Sequence, residues 1–174
     1  MTDPRYPIGR FEAPRTAGAA ECSDWIEQIA AAPAALRAAV AGLDEEQLET
    51  PYRDGGWVVR QVVHHTADSH VNAYTRFRLA LTESEPTIRT YDEKAWAVLS
   101  DARSAPVEES LSLVAAIHTR WVRLLRSLGD DDFSRRFHHP EVGPMTVGSL
   151  LALYAWHGRH HAAHVTSLRG RRGW

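Results

Sequence analysis

The chain has 174 residues, 44% of them hydrophobic, a formal net charge of −2 and one cysteine. That suits one domain, taken as 1–174, and excludes a disulfide framework, a cysteine-based metal cage and a broad cationic field for nucleic acid. No stretch is apolar enough for a membrane span and the N-terminus lacks a secretory apolar core, so a cytoplasmic protein with neither membrane nor nucleic-acid partners is expected.

Residues 1–20 hold three prolines and no helical period, and read as an extended arm whose Tyr6, Pro7, Ile8 and Phe11 lie against the body. A first helix is predicted from Ser23, a good N-cap, along the stripe Trp25, Ile26, Ile29, Leu36, Val40 and Leu43, with Pro33 kinking or restarting it. Asp44-Glu45-Glu46-Gln47 is a capping-box pattern for a short turn. After the Pro51–Gly56 turn, a second long helix runs from about Trp57 to Leu81 without Gly or Pro. Residues 82–90 read as a loop and 91–99 as a short helix. Pro106, Glu108 and Glu109 open a third helix that Gly129 closes. Residues 130–145 read as loop. Thr146 caps a fourth helix that Gly170 stops near Leu168. No stretch alternates convincingly, so the fold class is all-α, a four-helix bundle with long crossover loops.

The last helix carries the chemistry. In Trp156-His157-Gly158-Arg159-His160-His161-Ala162-Ala163-His164, at about 100° per residue, His157, His161 and His164 lie within about 60° of one another. They prolong the apolar stripe of Leu150, Leu151 and Tyr154. Imidazoles on a core-facing stripe need partners for their nitrogens, and a transition metal satisfies them economically. His157 and His161 are the preferred pair, with His164 either a spare ligand or a support for one. A catalytic site of the zinc type wants a third protein ligand. His65, in register with Val58 and Val62, is taken for that role. His64, about 100° away, is the fallback. Asp68 shares the face of His65 and either orients it or accepts a proton. His70 and His118 read as structural, and Trp57, Trp96, Trp121 and Trp156 as core. The basic tail Arg169–Arg172 reads as solvated. The loops of Tyr52, Arg53, Tyr91 and His139 are candidate walls of a substrate pocket. No H-E-x-x-H, Glu-x-x-His, P-loop or dinucleotide fingerprint occurs.

Four blocks carry a resemblance: Thr50–Trp57, Val59–His70, Tyr91–Trp96 and Leu153–His164. They resemble the YfiT-like branch of the DinB superfamily, with matching segments from Tyr6-Pro7-Ile8-Gly9 to Arg172-Gly173-Trp174. The resemblance implies a four-helix bundle, typically homodimeric, holding one divalent metal ion per subunit, zinc or nickel. It implies His65, of the segment His65-Thr66-Ala67-Asp68, as first ligand and His157 and His161 as the others. Where many relatives have Arg-Gly-Gln, this chain has Ala162-Ala163-His164, which leaves the role of His164 open. The implied activity is metal-dependent hydrolysis of a small-molecule substrate. The alternatives are transfer of a low-molecular-weight thiol to an electrophile and non-enzymatic metal or small-molecule binding.

Overall fold

The computed structural model describes residues 3–14 and 17–174. Four long helices form the bundle: α1 (Ala19–Val40), α3 (Val59–Thr82), α6 (Val107–Leu125) and α8 (Val147–Arg172). Short helices fill the connections: α2 (Glu45–Leu48), α4 (Glu93–Trp96), α5 (Ser100–Ser104) and α7 (Asp130–Ser134). A hairpin of β1 (Arg136–His139) and β2 (Gly143–Thr146) precedes α8, pairing Arg136 with Thr146 and His139 with Gly143.

The apolar side chains form two clusters, and their membership fixes the helix directions. Ile26 and Ile29 of α1 share one cluster with Leu150, Leu151 and Tyr154 of α8. Leu36 and Val40 share the other with Val165 and Leu168. Helices α1 and α8 therefore run parallel. In α3, Val59–Ala67 belong to the second cluster and Ala73–Ala80 to the first, and α6 follows the same order. The bundle is thus up-down-down-up, and the parallel step from α3 to α6 requires the long connection 83–106. Between the clusters each of these helices except α1 contributes histidine: His70, His118, and His157 with His161.

The boundaries differ from expectation where local signals mislead. Helix α1 starts at Ala19 with Gly18 as N-cap, and passes through Pro33 without a restart. Helix α6 ends at Leu125, and Gly129 caps the start of α7 instead. Helix α8 continues through Gly170 to Arg172, where left-handed Gly173 (φ 74°) ends it. The segment 130–145 is α7 and a hairpin rather than loop. Its strands are four residues long and β2 contains Pro144, so no alternation was available to reveal them. In the arm, Tyr6, Pro7 and Phe11 are partly buried but Ile8 is exposed; residues 1, 2, 15 and 16 lie outside the described residues. The basic tail is not merely solvated: Arg169 donates to the carbonyls of Ala39 and Ala41, and Arg171 to that of Tyr52. No described helix is long and apolar enough to cross a membrane.

Gly158 sets how closely α8 approaches α1 and α3. A Cβ there would lie 2.9 Å from the Cβ of Ala32 and 3.3 Å from Cε1 of His70. Gly158→Ala is expected to destabilise by about 1–3 kcal/mol, less the gain of about 1 kcal/mol from helix propensity. Gly170 has open space around it. Gly170→Ala should be neutral or stabilising. Urea midpoints check the pair; equal midpoints would refute the close-packing account.

Candidate metal centre

His65 from α3 and His157 and His161 from α8 come together at the middle of the bundle. Each offers a nitrogen, and the three nitrogens lie within 4.8 Å of one another. Nε2 of His157 and Nε2 of His161 are 3.2 Å apart. Two nitrogens bound tetrahedrally to one zinc-like ion at 2.0–2.1 Å would be separated by about 3.3 Å. The rings of His65 and His161 have centroids 4.8 Å apart, and Trp57 covers His65 at 4.6 Å.

Two hydrogen-bond chains, each anchored on a backbone carbonyl, constrain the tautomers. A carbonyl only accepts, so Nδ1–H of His118 donates to the oxygen of Ile29 (2.7 Å). Nε2 of His118 then accepts from Nδ1–H of His70 (2.7 Å). Nε2 of His70 in turn accepts from Nδ1–H of His157 (3.1 Å). The chain leaves Nε2 of His157 with a lone pair. On the other side, Nε2–H of His164 donates to the oxygen of Arg5 (3.2 Å). Nδ1 of His164 is thereby left with a lone pair 3.4 Å from Nδ1 of His161, so His161 faces an acceptor at each of its two nitrogens. Burial holds His70, His157 and His161 well below the ordinary imidazole pKa, so the rings are neutral.

The single proton of neutral His161 can serve only one of these acceptors, Nδ1 of His164 at 3.4 Å or Nε2 of His157 at 3.2 Å, the latter also 3.5 Å from the Ser69 hydroxyl, so one of the two histidine contacts is left as two facing lone pairs. Neutral imidazoles cannot satisfy each other that way, whereas a cation satisfies both. The donor set, three imidazoles without thiolate, suits zinc, nickel, copper or iron.

Pro33 explains the far end of the first chain. A helical residue at position 33 would ordinarily donate its N–H to the Ile29 carbonyl, and proline has none. The carbonyl freed in this way is the one that accepts from His118.

The remaining expected residues fall in different places. His64 turns away from the centre: it donates from Nε2 to the Ala105 carbonyl and accepts at Nδ1 from Ser110. With both nitrogens engaged it is not a reserve ligand. His164 supports His161 and stacks on Tyr52 at 4.1 Å. Asp68 makes no hydrogen bond to His65 among the described residues. Burial, with Asp101 the next influence, pushes its carboxyl up to about 6. It does not line either cavity beside His157.

Two cavities reach His157. One, about 630 Å³, is bounded by Tyr52, Arg53, Trp57, His65, Trp156 and His161. The other, about 830 Å³, is bounded by Ser69, Arg76, Tyr91, His139 and Tyr154. The expected walls thus divide, Tyr52 and Arg53 on one side and Tyr91 and His139 on the other. Glu93 and Lys94 of α4 border both. Of the four tryptophans read as core, only Trp121 is fully buried; Trp96 is exposed, while Trp57 and Trp156 wall the first cavity. Arg76 and Lys94 escaped the sequence reading because no spacing links them to the histidines, whereas Ser69, four residues after His65, and Tyr154, three before His157, share the histidines' faces but carry no sign in sequence that they line a cavity.

The model of the DinB superfamily matches residues 28–165. The chain belongs to the DinB superfamily. YfiT from Bacillus subtilis, described as "a probable metal-dependent hydrolase with an unusual four-helix bundle topology", is 48% identical and superposes with a TM-score of 0.96 over 99% of both chains. That likeness places the chain in the YfiT-like branch. Relatives from Bacillus cereus (strain 03BB102) and Bacillus thuringiensis subsp. konkukian are 51% identical over the full length of both chains. Both bear the provisional name of metal-dependent hydrolase. TT2238, described as a four-helix bundle protein, shares the fold at 21% identity and a TM-score of 0.54, over 88% of this chain and 99% of its own.

Proposed function

We propose that this DinB-superfamily protein is a metal-dependent hydrolase of a small-molecule substrate, with His65, His157 and His161 as the protein ligands of one divalent ion, zinc or nickel. The observation that carries the reading is the approach of Nε2 of His157 and Nε2 of His161 to 3.2 Å beside a third imidazole nitrogen from His65, where the one proton of His161 leaves an acceptor unpaired. The names borne by its relatives point the same way.

Three histidine ligands leave room for water or substrate, and a zinc-like ion so held acts as a Lewis acid and brings the pKa of water to about 7. The protein's own part is positional. His70 and His118 fix the ring of His157, and His164 fixes that of His161. Trp57 excludes water from one face of His65. Ser69 and Tyr154, whose hydroxyls are 3.4 Å apart, give the larger cavity polar groups beside His157.

Untagged protein should carry close to one equivalent of metal by elemental analysis. Loaded with zinc or nickel, it should hydrolyse members of a panel of small esters and amides. Chelation should abolish the activity and metal should restore it. Activity unchanged by complete metal removal would overturn the reading, and consumption of an added thiol in place of water would replace hydrolysis by transfer.

A further inference from the structure

Arg76 is the charged group that the metal centre does not use. It lies on α3, six residues beyond His70, and is only 9% exposed. Its guanidinium donates from Nη2 to the Arg89 carbonyl at 3.1 Å and from Nη1 to the Tyr154 hydroxyl at a long 3.4 Å. Its Nε is buried without a partner, and no carboxylate pairs with it among the described residues. A carbonyl and a phenol satisfy some N–H groups but neutralise no charge. A buried guanidinium left in that state is costly, and such groups are ordinarily matched by an anion.

Arg76 lines the larger cavity, the one that also reaches His157. We infer that this cavity is a subsite for a carboxylate carried by the substrate, with Arg76 as its anchor. The inference rests on the hydrolytic reading above for its statement that the bound molecule is a substrate. A planar guanidinium matches a carboxylate with two parallel N–H donors. The cavity favours a single negative charge over a phosphate dianion. Asp92, Glu93 and Glu141 line it, against Arg76 and Lys94 as fixed cations. A monoanion compensates Arg76 at depth, while a dianion meets net negative charge at the rim.

Calorimetric titration of the purified full chain with pentanoate and with pentanamide, its neutral analogue, tests the subsite. The wild type should bind pentanoate on the order of 10- to 100-fold more tightly. Arg76→Gln should abolish the preference and Arg76→Lys should keep part of it. Because a bound metal also attracts carboxylates, propanesulfonate, a monoanion that coordinates divalent ions poorly, should displace pentanoate from the wild type. This arm needs no variant to fold. Equal binding of the two probes, failure of propanesulfonate to compete, or a preference that survives in folded Arg76→Gln overturns the inference. Tighter binding of methyl phosphate than of pentanoate also overturns it, in favour of a phosphate subsite. Metal content measured on the same samples separates the two readings. Carboxylate preference without metal sinks the hydrolase alone, and metal without preference sinks the subsite alone.

Discussion

Between pH 7 and pH 5 the thermal midpoint of the protein is expected to fall by at least about 10 °C, and to be nearly flat above pH 7. The cause is the histidine belt. Burial holds His65 and His118 at about 4, against an ordinary value near 6.5. His70, His157 and His161 are held well below the ordinary value by burial and by neighbouring histidines. Above about pH 7 these rings are largely neutral in both the folded and the unfolded chain, so stability responds little to pH. From 6.5 down to about 4 the unfolded chain takes up protons that the folded chain refuses, and stability falls with pH. His65 and His118, both nearly inaccessible, each contribute a loss of about 2 kcal/mol by pH 5. Asp68 opposes this, because its raised carboxyl pKa lets the folded state bind a proton more readily below about 6. It is a single half-buried group set against several imidazoles. Added metal raises the midpoint at neutral pH by mass action. Protons compete for the same nitrogens, so the loaded protein should lose its advantage over the same interval. Circular dichroism melts across this range, with and without zinc, measure both effects. An unchanged midpoint at pH 5 would mean that the histidines are exposed or paired with carboxylates, contrary to the belt described.

The bundle itself was legible because its four long helices carry apolar residues at helical spacing, although several of their ends lie elsewhere than the local cap signals indicate. Asp44 and Thr146 cap as their sequences indicate. The convergence of His65 with His157 and His161 was foreshadowed by the i, i+4 spacing and by the apolar stripes that orient both helices inward. What escaped depends on contacts between helices. His118 and His70 look like isolated core histidines in their own helices, and only the packing of α6 against α1 and α3 joins them to His157. Pro33 read as a disruption of α1, because local rules count the donor it lacks and cannot see which other donor takes the vacated carbonyl. The role of His164, left open by the sequence, depends on Arg5, which lies 159 residues away. Arg76 follows no motif at all; its significance is the absence of a counter-charge, which sequence spacing does not encode.

A graded series of variants should expose the chain that runs from the proposed metal centre to Pro33. His157→Ala removes one of the three proposed ligands, and bound metal should fall below about a tenth of an equivalent at micromolar concentrations. His70→Leu leaves all three proposed ligands but removes the acceptor for Nδ1–H of His157. The ring is then free to rotate or to carry its proton on Nε2, and metal affinity should fall by about 10- to 100-fold. His118→Leu acts one step further out. It strips Nδ1–H of His70 of its acceptor and the Ile29 carbonyl of its donor, both in the buried belt. Stability should drop by about 1–3 kcal/mol, with a smaller loss of affinity than in His70→Leu. Competition with a chromophoric chelator reads the affinities, and nitrogen chemical shifts of the imidazoles read the tautomers directly. The wild type should show protons on Nδ1 of His157, His70 and His118; His70→Leu should scramble that of His157. If His70→Leu keeps the wild-type affinity, the chain of imidazoles is structural only and the ligands are held by packing. If Pro33→Ala restores a helical N–H to the Ile29 carbonyl without weakening the His118 bond, the carbonyl has accommodated both donors on its two lone pairs. In that case proline is a convenience of α1, and the orientation of His157 depends on the histidines alone.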